Sequence, residues 1–224
     1  MTERPFWDWE WVFDHLGLIG DRLLQHITLT AIAVGVGLLI SLPLAVMAYR
    51  HLRLYPPTTW IAGLLYTIPS LALFSLLVPF TGLSTLTAEI GLVSYTLLIL
   101  IRNTVTGLAG VPDDAKEAAH GMGHTGGQLL WRVELPLALP AVIAGVRIAT
   151  VTTIGLVTVT ALIGKGGLGA LMLGAFRNLY PEIMIPVGLG LSVALALTLD
   201  ALLMAAQRGL TPWSARRRDR TVAA

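Results

Sequence analysis

Five apolar runs of 20 to 25 residues, at about 27–47, 59–79, 86–105, 139–163 and 183–206, constrain this chain more than any other feature. The first two carry no charged residue, and the others carry one or two each. As a helix rising ~1.5 Å per residue, each run is long enough to cross a hydrocarbon core of ~30 Å. Lipid offers no hydrogen-bond partners, so a spanning segment must satisfy its own backbone, and runs without strand-like alternation do so as helices. The expected fold class is therefore all-α and integral to a membrane, with five transmembrane helices. Only 12% of the residues are charged, against roughly 25% in soluble domains, and this excludes a soluble globular class.

The basic pI of about 9.2 reflects a net charge of only +2, and the basic residues sit beside apolar runs instead of forming a face, so no nucleic-acid partner is expected. Their placement gives the topology. Arg50, Arg53, Arg102, Lys116, Arg132 and the five tail arginines 208, 216, 217, 218 and 220 fall on one side of the five-span arrangement, ten in all. Arg4, Arg22, Lys165 and Arg177 fall on the other, and Arg147 lies inside a span. The bias of basic residues toward the cytoplasm predicts an N-terminus outside and a C-terminus inside. There is no cysteine, hence no disulfide and no thiolate chemistry. No basic n-region and apolar h-region open the chain, so no cleaved signal peptide is expected.

Three units follow. Residues 1–26 interleave Trp7, Trp9, Trp11 and Phe13 with Asp8, Glu10 and Asp14. This suits an external segment lying at the membrane–water interface, where an indole is half buried, or one covered by a partner. Residues 27–206 form the transmembrane domain, and 207–224 a basic cytoplasmic tail. Within the domain, Gly35 and Gly37 permit close helix contact. Pro56-Pro57 ends a turn, and Pro69 predicts a kink in the second span because it removes a backbone donor. Glu89 lies near the outer end of the third span, within reach of water.

One polar insert, residues 113–136 (DDAKEAAHGMGHTGGQLLWRVELP), separates the third and fourth runs. Pro112, Asp113 and Asp114 are a helix start signal. Residues 115–120 favour helix, and Gly121, Gly123, Gly126 and Gly127 break it. A second short helix at about 127–133 would then present Leu129, Leu130 and Val133 on one side before Pro136. The insert reads as a folded cytoplasmic element built to touch a partner, although Glu117 alone could be an ordinary solvated residue.

The run Glu117-Ala118-Ala119, three residues, Gly123, nine residues, Val133, one residue, Leu135-Pro136 resembles the EAA motif of permease subunits of binding-protein-dependent ABC importers. The family's usual isoleucine is replaced by Val133. The resemblance implies the type I ABC importer permease (MetI-like) fold. It also implies that the insert is a coupling helix docked on a separate dimeric ATPase. ATP and Mg would be used by that partner, since this chain has no phosphate-binding loop and is expected to bind no cofactor. It further implies a second permease subunit, identical or sister, and an extracytoplasmic substrate-binding protein.

Within that family the chain is most similar to the osmoprotectant branch, importers of glycine betaine, carnitine or choline. The similarity is carried by His26-Ile27-Thr28-Leu29-Thr30, Ile68-Pro69-Ser70-Leu71-Ala72-Leu73-Phe74, Ile101-Arg102-Asn103-Thr104, and Ala161-Leu162-Ile163-Gly164 leading into Gly166-Gly167-Leu168-Gly169. The last stretch is shared with methionine-type importers, and Lys165 departs from the small residue expected there. Methionine or amino-acid import is the nearest alternative. A stand-alone channel or membrane assembly factor is the alternative of another class.

Polar residues inside spans are costly and so become candidates. Arg147 and Asp200 fall at similar depth, roughly 9–12 Å from the cytoplasmic surface at ~1.5 Å per residue, and are expected to form a packing ion pair. Ser70, Asn103, Thr104 and Thr153 are candidates for lining the pathway, though hydroxyls also bond within their own helix. Tyr66, Phe74 and Tyr95 offer cation–π faces. The selective aromatic cage of this family resembles a feature of the binding protein instead. His120 and His124 have a metal-ligand spacing, but glycines interrupt their helix and no third ligand follows, so neither a metal site nor catalytic residues are expected.

Overall fold

A computed structural model describes residues 9–177 and 181–213, which are helical wherever they are regular. A short α1 (Trp9–Asp14) leads into α2 (Leu16–Arg50), followed by α3 (Tyr55–Thr67), α4 (Ser70–Thr81) and α5 (Thr85–Ala109). The insert folds as α6 (Asp113–Gly121) and α7 (Gly126–Leu129), and a π-helical turn (Leu130–Glu134) runs on into α8 (Leu135–Val159). After the turn Thr160–Ile163 come α9 (Gly169–Arg177) and α10 (Pro181–Leu210). Four helices are long and apolar enough to cross a membrane, and α3 with α4 makes a fifth if the pair is one broken span. Trp7 and the tail arginines 216–220 lie outside the described residues.

The first long helix starts at Leu16, well before the apolar run at 27–47, so residues 16–26 continue it. Asp21 and Arg22 interrupt the hydropathy there, but Ile19 is buried against Leu168, Leu171, Ile183, Met184 and Val187, and that contact carries the helix outward. The neighbouring Trp11 ring stacks on His15 at 4.3 Å.

At Pro69 the structure is broken, not merely kinked: α3 and α4 meet at 95°. Ile68 and Pro69 are extended (ψ 127° and 131°), as a residue before proline prefers. The Ile68 carbonyl, freed from the helix, accepts the Tyr95 hydroxyl from α5. Tyr66 meets Tyr95 edge-on at 5.9 Å but stays 39% exposed, whereas Tyr95 and Phe74 are buried, Phe74 against Gly91.

The core is the contact of α2, α5 and α8. Leu29, Ala33, Ala88, Leu92, Val157 and Ile163 fill the half of it nearer the Thr160–Ile163 turn, together with Phe74. Small residues set the helix spacing. A Cβ on Gly37 would lie 2.0 Å from Thr96 Oγ1, and one on Gly145 would lie 2.6 Å from Asn103 Cβ. Gly35 faces open space. Glu89 does not reach water: both carboxylate oxygens are closed off, without a hydrogen-bond partner among the described residues.

The ends of α2 and α8 remote from the insert are tied by the glycine-rich loop. Leu168 N–H donates to His26 Nδ1 (3.3 Å), so Nε2 carries the proton that reaches the Ile154 carbonyl at 3.0 Å. Gly167 N–H donates to Gln25 at 3.2 Å. Gly167 has φ +50°, and a Cβ there would lie 2.7 Å from His26 Cβ, so this seat requires glycine.

Candidate coupling site

Helix α6 opens at Pro112 with Asp113 and Asp114 in its first turn, where carboxylates meet the positive end of the helix dipole. Lys116 closes on Asp113 at 3.0 Å, and that carboxylate holds the ammonium pKa above its ordinary value. The helix turns Ala119 inward, 1% exposed, and leaves Glu117, Ala118 and His120 on the surface.

The break after α6 is built from specific bonds. Met122 N–H donates to the Ala118 carbonyl and Gly123 N–H to that of His120, with Gly123 at φ +80°. The backbone N–H and Nδ1 of His124 both reach the Ala119 carbonyl, each at 3.1 Å. His124 is thus a capping group, and among the described residues no cluster of three metal-ligating side chains exists. Thr125 and Gln128 then form a capping box, the Thr125 N–H donating to Gln128 Oε1 at 2.9 Å.

The second helix is shorter than the expected 127–133 and gives way to a π turn. Pro136 has no N–H, so no α-type bond can reach the Arg132 carbonyl, and the Leu135 N–H turns five residues back to Leu130. Leu129 is buried, Leu130 and Leu135 pack with Leu108, Val111 and Ala138, and Val133 and Pro136 are half-buried. Trp131 and Met122 stand out at 68% and 72% exposure.

Glu134, between Val133 and Leu135, is not among the site residues expected from the sequence, and Arg50 enters there only as a topology marker. Glu134 is 3% exposed. It accepts from the Tyr49 hydroxyl at 2.9 Å and from Arg50 at 3.2 Å, and the same Arg50 nitrogen donates to the Gly126 carbonyl at 2.7 Å. A carboxylate set between the apolar Val133 and Leu135, next to Pro136, was the available signal, since a buried charge requires a partner.

Deeper in the bundle, Arg147 donates twice to Asp200, Nε to Oδ1 and Nη2 to Oδ2, each at 2.8 Å. The two side chains, 25% and 29% exposed, line a cleft of about 480 Å³ between α8 and α10. Thr104 and Thr153 are closed inside the bundle at 1% exposure. Ser70 and Asn103 are half-buried, with Asn103 donating to the Ile99 carbonyl at 2.8 Å. In this conformation these four do not share one open surface.

Two kinds of comparison bear on this architecture. Among solved structures, an inward-facing form of the MetNI methionine ABC transporter superposes with TM-score 0.76 at 24% identity, covering 84% of this chain and 94% of that one. An amino acid ABC transporter superposes with TM-score 0.68 at 18% identity, over 90% and 98%. These likenesses establish the fold. Among characterised proteins, the osmoprotectant import permease protein OsmW of Salmonella typhimurium is 39% identical over 207 residues, 90% of this chain and 96% of the relative. The choline transport system permease protein OpuBB of Bacillus subtilis is 36% identical over 188 residues, 84% and 86% of the two chains. Residues 27–215 match the model of the binding-protein-dependent transport system inner membrane component. The chain therefore belongs to that family of inner membrane transport components.

Proposed function

We propose that the chain is the permease subunit through which a quaternary-amine osmoprotectant, such as glycine betaine, choline or carnitine, is imported, and that the insert receives the ATPase. As a permease subunit it is not itself an enzyme. The substrate class is supported by the osmoprotectant and choline transport of relatives at 39% and 36% identity. The observation that carries the coupling role is α6. It is an exposed helix whose Glu117 and Ala118 face outward while His124, Gly123 and the Thr125–Gln128 box fix its exit. A rigid element of this kind transmits rigid-body motion better than a compliant loop.

In this reading the N-terminus is outside and the insert and tail are cytoplasmic, supported by the basic-residue bias. ATP and Mg are bound by the ATPase pair, a second permease subunit completes the pathway, and the binding protein docks on the outer loops, including 164–180. Glu117→Lys and Gly123→Leu should abolish ATP-driven uptake in reconstituted vesicles while membrane insertion stays normal. Full uptake by both variants would overturn the coupling role. Titrating the cognate binding protein with glycine betaine, choline and carnitine tests the substrate, and selective binding of methionine would refute that part.

A further inference from the structure

The second half of the insert is joined covalently to α8, yet its polar contacts reach α2. Arg50, the last residue of α2, donates through one nitrogen to both ends of this half, the Gly126 carbonyl at 2.7 Å and Glu134 Oε2 at 3.2 Å. Tyr49, the residue before it, donates to the other Glu134 oxygen at 2.9 Å. Val46 and Tyr49 pack on the apolar cluster that holds Leu130 and Leu135. The Glu134 side chain is 4% exposed and that of Arg50 is 34% exposed, so the carboxylate has exchanged nearly all its water for these two donors.

We propose that Glu134, Arg50 and Tyr49 are positioning residues forming the joint through which movement of the insert is passed to α2. The inference rests on the reading of the insert as the ATPase dock. Its physical basis is that both carboxylate oxygens are committed. A neutral amide of the same shape keeps one acceptor oxygen for Arg50 but loses the charge that strengthens that bond, and its NH2 can only donate to Tyr49, which reverses the second bond. Glu134→Gln therefore loosens the joint without changing its volume.

The test uses the permease with its ATPase and binding protein in vesicles, measuring substrate taken up per ATP hydrolysed. Glu134→Gln should lower that ratio by about tenfold, within the usual range of coupling effects, while the ATPase subunit still co-purifies. Arg50→Glu combined with Glu134→Arg should recover part of what either reversal loses alone. The chain has no cysteine, so Leu52→Cys and Gly127→Cys allow clean spin labelling. Leu52 is 80% exposed, and a Cβ on Gly127 meets nothing within 4 Å. The distance between these labels should stay constant between the nucleotide-free and ATP-bound states, and should change between them in Glu134→Gln.

A native uptake-to-ATP ratio in Glu134→Gln overturns the joint. If that variant fails to fold, Tyr49→Phe and Arg50→Lys decide: a lowered ratio in either supports the joint, and native ratios in both overturn it. A parent complex that retains no ATPase removes the functional reading itself, and is recognised by co-purification before any ratio is measured.

Discussion

Replacing Gly37 by alanine measures how closely α2 and α5 are held. The added Cβ would lie 2.0 Å from Thr96 Oγ1 and 3.0 Å from Thr96 Cβ. Thr96 is 1% exposed, and its hydroxyl donates to the Val93 carbonyl at 2.8 Å. Rotating the hydroxyl away forfeits that bond, about 1 kcal/mol, and leaves the tight Cβ contact in place. The alternative is for the helices to part by some tenths of an ångström and lose dispersion along the crossing. Overpacking of this kind costs about 1–3 kcal/mol, and alanine's better helix propensity returns at most about 1 kcal/mol. A net destabilisation of about 1 kcal/mol is expected for Gly37→Ala, and about 1 kcal/mol for Thr96→Ala, which removes only a methyl and a local bond. The double variant should be more stable than the sum implies, by at least about 1 kcal/mol, because the shortened side chain admits the new Cβ. Reversible unfolding in mixed micelles, run on all four proteins, checks this. A Gly37→Ala chain as stable as its parent, or effects that add within about 0.5 kcal/mol, would refute the reasoning.

Two further outcomes are expected. Gly167→Ala should unseat the outer loop, because its φ of +50° and the His26 contact at 2.7 Å both oppose a side chain. Gly164→Ala, at φ +78° but with open space around it, should cost only about 1 kcal/mol. The rate at which a water-soluble amine reagent labels Lys165 separates them, rising for the first variant and staying near the parent for the second. For Arg147 and Asp200, Asp200→Arg alone should lower the melting temperature in detergent, and the exchange Arg147→Asp with Asp200→Arg should restore much of it. Equal melting temperatures for the single and the exchanged protein would deny the pair a structural role.

Much of this architecture was legible because lipid reduces the problem to length and apolarity. The runs at 86–105, 139–163 and 183–206 lie within long helices, and the spacing from Glu117 to Pro136 outlined the insert. What stayed hidden depends on distant partners. Asp21 and Arg22 mask the outward extension of α2, which is held by Ile19 against α9 and α10. Pro69 announced a kink. Its growth into a 95° break is accompanied by the bond from Tyr95, twenty-seven residues away, to the Ile68 carbonyl. The partners of Glu134 were invisible for the same reason, since they are eighty-four and eighty-five residues distant. The apolar pattern identifies which segments enter the membrane, but a hydrogen bond between a side chain and a remote carbonyl leaves no periodic trace.

Helix α2 has a mechanical consequence. It is seated at His26 on the outer loop and on α8, and at Arg50 on the insert, twenty-four residues away along one helix, about 36 Å at ~1.5 Å per residue. Along its axis a helix resists stretching, so the two seats are the ends of a strut. The exception is Pro43, which interrupts the backbone ladder seven residues before Arg50. Bending is therefore concentrated in a stub carrying Tyr49 and Arg50, while the length outward from Pro43 to His26 moves as one piece. A displacement of the Arg50 seat would be divided at Pro43 into a tilt that stays local and an axial component that reaches the glycine-rich loop at the far end of the helix.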